Sequence, residues 1–199
     1  MSLDLNQIEA VKFANGPALV IAGPGSGKTT VLTNRVRYLI KELQVPPEKI
    51  LVITFTRAAA GQMNKRFNDL FEGYAPVNFT TFHSLFYSII CEHFSSNVSL
   101  ISPNEKLNIL KMVVMKEKQD FSDSKINDLL NDFSYYKNNG IKVGKRLSEV
   151  VDNDSFFDLF DAYQDEIFNI AKPDYDDFTI WCRRIFDENE NLLKEWQNK

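Results

Sequence analysis

Two cysteines, two histidines and no apolar stretch of membrane-spanning length make this a sequence poor in several informative features. Cys91 and Cys182 are isolated thiols without metal-ligand spacing, which excludes a thiolate metal site and suits a reducing cytoplasm. A membrane span needs about 20 apolar residues in a row, and no signal peptide opens the chain, so a cytoplasmic protein with no membrane partner is expected. Strong positive charge is lacking too: the net charge is −4. A protein that grips duplex DNA mainly through phosphates is usually basic. Any nucleic-acid contact here must therefore be local or rest on base stacking.

What is present is an ordinary globular composition, 44% apolar and 25% charged. At 199 residues the chain makes one large domain or two small ones. Charge is uneven, +2 over residues 1–100 and −6 over 101–199.

The organising stretch is Ala22-Gly23-Pro24-Gly25-Ser26-Gly27-Lys28-Thr29-Thr30, preceded by the apolar run 18–22. An apolar run of five predicts a buried strand. Glycines after it allow a tight turn with N–H groups pointing inward. Helix-forming residues resume at Lys28, so the loop ends at a helix N-terminus that favours an anion. The pattern is that of a phosphate-binding loop, in which Lys28 reaches the β/γ-phosphates and the Thr29 hydroxyl ligates Mg²⁺. Ala22 stands where the strict pattern has glycine, a mild departure at a strand end. A nucleoside triphosphate is the expected ligand.

Around this loop, Asp4 or Asn6 is placed to cap a helix through about residue 15, with Ile8, Val11 and Leu5 facing inward. A helix is predicted from Lys28 to about 43, a second strand over 50–55, and a helix from about 57 to 72. A third strand, 77–81, leads into a helix to about 94. Thr29, Phe55-Thr56 and Thr81-Phe82-His83 all fall at carboxyl ends of strands, where α/β sheets collect ligands. Read singly, Phe55 is either the core end of a buried strand or a ligand contact, and His83 either a contact or a hydrogen-bonded support for its loop. Beyond residue 99 strand signals stop, and helical patterns occupy about 104–118, 123–138, 152–171 and 176–197. These cannot extend a parallel sheet and must form a helical subdomain. Phe156, Phe157, Phe160 and Tyr163 read as its core. Asp152, Asp154, Asp158, Asp161 and Asp165 read as a solvated helix face.

Gln7, the loop 22–30, Thr54-Phe55-Thr56-Arg57-Ala58-Ala59-Ala60 with Met63, and Thr81-Phe82-His83-Ser84 resemble, in order and spacing, motifs Q, I, Ia and Ib of superfamily 1 UvrD/Rep/PcrA-type DNA helicases. Asp174-Tyr175-Asp176-Asp177-Phe178 is similar to the acidic-aromatic segment by which that family's helical insertion returns to the motor core. The resemblance implies an ATP-driven motor moving 3′ to 5′ on single-stranded DNA. It implies a RecA-like α/β fold, a P-loop parallel sheet with helices on both faces, incomplete at one side, plus an inserted all-α subdomain. Residues 1–99 would be a partial motor core, 100–175 the insertion, and 176–199 a helix returning to the core.

Carried over by resemblance, Gln7 hydrogen-bonds the adenine edge, while Ala22 to Thr30 hold the phosphates, with Lys28 and Thr29 as the catalytic pair and Mg²⁺ on Thr29. Arg35 supports the nucleotide site. Phe55 stacks on a base, and Thr56, Arg57, Thr81 and His83 touch the DNA backbone, with Thr54 and Phe82 completing that set. Two positions depart from the family: Arg57-Ala58 stands where Asn-Lys is frequent, and Thr30 where many relatives place Arg. No apolar strand followed by adjacent acids appears after Phe178. The second Mg²⁺-side carboxylate, the water-activating Glu, the arginine fingers and the second motor domain are thus missing, and the expectation is an N-terminal fragment without ATPase activity of its own, partnered in its parent by the remaining motor domains. The competing readings are the helicase subunit of a recombination helicase-nuclease complex, a regulatory nucleotide-binding module with a decayed motor, and a small-molecule P-loop kinase.

Overall fold

The computed structural model describes residues 3–13, 16–71, 76–140 and 146–199. They divide into two compact units, Met1–Leu85 with Lys194–Lys199, and Phe86–Leu193.

In the first unit, helix α1 (Leu5–Lys12) starts at Asp4, whose side chain accepts the Gln7 N–H while the Gln7 side chain accepts the Asp4 N–H. This capping box satisfies two backbone donors at once. Val11 and Ile8 face inward, but Leu5 is exposed, contrary to the sequence expectation, because it sits at the first helical position outside the buried stripe. The far end expected for this helix, residue 15, lies outside the described residues. Helix α2 (Lys28–Lys41), strand β1 (Leu51–Thr54), helix α3 (Arg57–Leu70) and strand β2 (Asn78–Thr81) follow. The strands pair in parallel, Leu51 opposite Asn78 through Thr54 opposite Thr81. Val36 of α2, Val52 of β1, and Met63 and Phe67 of α3 close the core with Ile50 and Val77. Phe67 lies 5.3 Å from Phe71 and 5.8 Å from Phe79, centroid to centroid. The architecture is α/β, mostly helical, with a small parallel sheet. The expected end of α3 at residue 72 also falls outside the described residues.

The run 18–22 is not a strand. It is irregular, and Leu19 and Ile21 are 85% and 88% exposed. A strand requires a neighbour to complete its ladder, and β1 and β2 pair only with each other among the described residues.

The second unit is helical. Helices α4 (Phe82–His93, which begins in the first unit), α5 (Pro103–Lys116), α6 (Asp123–Asn139), α7 (Asn153–Asn169) and α8 (Phe178–Glu188) supply its core. Ser102, Ser122 and Asp152 cap α5, α6 and α7 through their side chains. Phe133 of α6 meets Phe156 and Phe160 of α7 edge-on at 5.1 and 5.2 Å. Each such ring buries enough apolar surface for about 2–3 kcal/mol. The four aspartates of α7 and its capping Asp152 are exposed, as its polar face requires. The last predicted helix is two: α8 stops at Asn189 and α9 spans Glu190–Asn198. Asn189 causes the break, its Oδ1 accepting the Leu192 N–H while its own N–H caps α8.

A buried ion network joins these helices. The Lys137 ammonium of α6 is 3% exposed and pairs with Asp177, 0% exposed, and at 3.5 Å with Asp174. Lys106 of α5 reaches Asp174 at 2.5 Å, and Gln164 of α7 donates to Asp177 at 3.0 Å. The two aspartates lock their own turn, each accepting the other's backbone N–H, at 2.8 and 2.9 Å. Burial pushes Asp177 up to about 6 against the pull of Lys137. Burial also opposes ionisation of Asp174, but Lys137, Asp177 and Lys106 together hold it down to about 2. A cleft of about 280 Å³ lined by Lys106, Lys137 and Asp174 is roomy enough for water and keeps Asp174 the wetter of the two.

Candidate nucleotide loop and strand-end loops

The loop between Ala22 and Lys28 is built by left-handed glycines. Gly25 and Gly27 have φ of +75° and +80°, a conformation that costs other L residues about 1–2 kcal/mol. Gly27 also caps α2 without a side-chain bond. The first intrahelical bond is Val31 N–H to the Gly27 carbonyl, at 2.9 Å. Consequently the N–H groups of Lys28, Thr29 and Thr30 carry no helical partner and point out of the positive end of the helix. Ser26 closes the turn on the Gly23 carbonyl through its hydroxyl at 2.8 Å. The Lys28 ammonium donates to the carbonyls of Gly23 and Ala22, at 2.6 and 3.2 Å. Thr29 and Thr30 are half-buried, and their carbonyls accept the hydroxyl of the wholly buried Thr33. Pro24, Gly23 and Ser26 are exposed.

Gln7 comes to this loop from α1. Its Nε2 donates to the Ser26 carbonyl at 3.1 Å. Arg35 instead faces the other end of α1, donating to the carbonyls of Ala10 at 3.2 Å and of Phe13. It ties α2 to the helix that carries Gln7, a cation at a helix C-terminus.

The parallel register sets the two strand-end loops side by side, because Thr54 and Thr81 are paired. Phe55 is 95% exposed, which removes the core reading of that ring. Phe82, at 53%, and His83 are exposed as well. The threonines hold these loops. Thr54 Oγ1 donates to the Thr56 carbonyl at 2.9 Å, and Thr56 Oγ1 caps α3 by accepting the Ala59 N–H at 3.1 Å. Thr81 is buried, its hydroxyl 3.0 Å from Ser84 Oγ at the start of α4. Arg57 lies exposed in the first turn of α3. An exposed aromatic and an exposed cation held on capped loops make a surface that can take a base face and a phosphate.

The family model for the UvrD/REP helicase N-terminal domain matches residues 3–199. The chain belongs to this family. It is 31% identical to the ATP-dependent DNA helicase PcrA of Staphylococcus aureus, over 99% of the chain and 28% of that protein. It is 29% identical to the ATP-dependent DNA helicase Rep of Buchnera aphidicola, over 100% of the chain and 32% of that protein. The chain thus spans about a third or less of the curated relatives it matches.

Membership leaves one feature that sequence reasoning missed. Arg66, on α3, donates through Nη2 to Thr30 Oγ1 at 2.8 Å. Nothing in its spacing signals this, since 36 residues separate the pair; the helical period of α3 only puts Arg66 on the flank of the face that carries Met63 and Phe67. No described helix is long and apolar enough to cross a membrane.

Proposed function

We propose that this chain is the ATP-binding N-terminal part of a 3′–5′ single-stranded DNA translocase or helicase acting in DNA repair or replication. The observation that carries the reading is the pairing of a phosphate-type loop with an almost wholly exposed Phe55 at the end of a parallel strand. Residues 1–99 are the partial motor core, 100–175 the helical insertion and 176–199 the return to the core. The donor set fits Mg-ATP: free helix N–H groups, a lysine, a half-buried threonine hydroxyl and a loop whose glycine conformations leave the backbone bare. Lys28 holds the β/γ-phosphates, Thr29 the cation, Gln7 the base edge, and Arg35 keeps the Gln7 helix against α2. Bound Mg²⁺ would neutralise phosphate charge. Phe55, Arg57, Phe82 and His83 contact the DNA strand, while Thr54, Thr56 and Thr81 hold the loops that present them.

Neither strand among the described residues carries an acid that could give the cation a second carboxylate or activate water, and on this reading the chain by itself binds without turnover. Intact Lys28 and Thr29 argue against a decayed motor. Mg-ATP should raise the melting temperature of the protein and leave that of Lys28→Ala unchanged. Equal shifts in both would sink the nucleotide reading, and measurable DNA-stimulated hydrolysis would sink the claim of inactivity.

A further inference from the structure

In the first unit, α1 and the half of α2 away from the glycine loop leave an open groove of about 140 Å³ between them. Ile8 and Val11 of α1 form its apolar floor. On α2 the wall is the stripe Asn34, Arg37, Tyr38 and Lys41, spaced i, i+3, i+4 and i+7, so that all four share one face. Lys12, in the last turn of α1, stands at the rim, and Glu42 is the one acid of the lining. Three cations thus meet one carboxylate. Among the described residues no salt bridge neutralises Lys12, Arg37 or Lys41. Arg37 lies over the Phe71 ring at 5.2 Å, a contact that leaves its charge without an acid. A lysine in each last turn suits the helix dipole. The dipole gives no reason for an apolar floor left open beside those lysines, nor for Arg37 a turn earlier. The Lys41 end lies about 20 Å along the helix from Lys28.

We propose that this groove docks an acidic segment of a partner protein, with one apolar side chain seated on Ile8 and Val11 and flanking carboxylates on Lys12, Arg37 and Lys41. Nothing in this depends on what the glycine loop binds. Small-molecule sites run to about 300–1,000 Å³, so a groove of about 140 Å³ takes a single side chain rather than a cofactor. Charge complementarity sets the sign of the partner, and cations at an exposed rim give fast, salt-sensitive docking. Tyr38 adds a ring and a hydroxyl on the same face, the kind of side chain that anchors interfaces. A nucleic-acid strand fits less well. Its backbone brings phosphates but no apolar side chain for the floor, Glu42 repels evenly spaced phosphates, and a net charge of −4 resists a long polyanion. A peptide can place its carboxylates to miss Glu42.

The probe is a labelled synthetic peptide with one leucine flanked on both sides by glutamates, followed by fluorescence anisotropy as the protein is added. It should bind at low salt, and raising the salt from about 50 to about 300 mM should weaken it about fivefold. Lys12→Glu with Lys41→Glu should weaken it about tenfold, and so should serine in place of the peptide's leucine. Both lysines are exposed, so the double variant should melt with the unmutated protein. If it does not fold, Lys12→Gln with Lys41→Gln and the serine peptide decide. No binding at low salt, undiminished binding by the double variant, or undiminished binding of the serine peptide overturns the proposal. So does an oligo-dT of equal charge that displaces the peptide and loses affinity in the double variant, which makes the groove a nucleic-acid contact. A dimer of the chain in sedimentation that the double variant dissolves also overturns it, since a second copy is then the occupant.

Discussion

Lys137→Met removes the ammonium that balances Asp177 and helps balance Asp174 inside the helical unit. Both the lysine and Asp177 are shielded from water, so no solvent replaces the lost charge. Breaking a buried pair by deleting one partner costs about 3–5 kcal/mol. The cost should depend on pH, and its sign follows from Asp177. Its folded value, about 6, lies above the usual carboxylate value, so protonation is easier in the folded state and stability declines as pH rises towards 6. Without Lys137, whose charge and hydrogen bond both lower it, Asp177 titrates higher still. Below the new value the variant escapes its penalty by binding a proton, about 1.4 kcal/mol for each pH unit. The destabilisation should therefore be largest near pH 8 and shrink by pH 5.5. Urea unfolding followed by tryptophan fluorescence in a Trp196→Phe background reports on this unit, since the remaining Trp181 is buried on α8. Lys137→Met with Asp177→Asn should recover part of the loss, because the uncompensated charge goes with its partner. A cost under about 1 kcal/mol at pH 8, or one that does not change with pH, would refute the reasoning.

Other perturbations isolate single links. Phe55→Ala should weaken binding of a short oligo-dT by about 1–3 kcal/mol while leaving unfolding unchanged, because the exposed ring has little packing to lose; unchanged DNA affinity in a gel or anisotropy assay would remove Phe55 from the contact surface. Gly27→Ala should cost about 1–2 kcal/mol for its positive φ and push against Gln7 Nε2, so both melting temperature and Mg-ATP affinity should fall. Asp174→Asn should flatten the acid limb of unfolding: its depressed carboxyl, about 2 when folded, lends stability that is complete above the unfolded value and disappears as pH falls through about 2.

Much of the first unit is legible because its signals are local. Asp4 with Gln7 three residues on, and Thr56 before an alanine run, fix where helices begin whatever surrounds them. The run 18–22 misleads for the opposite reason. Hydropathy records what a segment would gain from burial, whereas a strand is a property of two segments, and the partner is not encoded in the run itself. The break at Asn189 is the same kind of miss at shorter range: the helical period continues on both sides, and only the asparagine's two backbone bonds reveal that one helix ends as the next begins.

The candidate site divides along the same line. The glycines, which act through the backbone they sit on, are readable from spacing alone. Thr54, Thr56 and Thr81, expected as DNA contacts, instead bond their own loops and helix starts. Residues that act across the fold are not readable in that way: Arg66 meets Thr30 across 36 positions, and Lys106 meets Asp174 across 68. Each of these charges, taken in sequence, looks like one more solvated side chain. Among the described residues no carboxylate pairs with Arg66, whereas the buried Lys137 of the helical unit pairs with both Asp177 and Asp174. A lysine that must hold helices together is neutralised within the fold, as Lys137 is. On that contrast the cluster around Lys137 is scaffold.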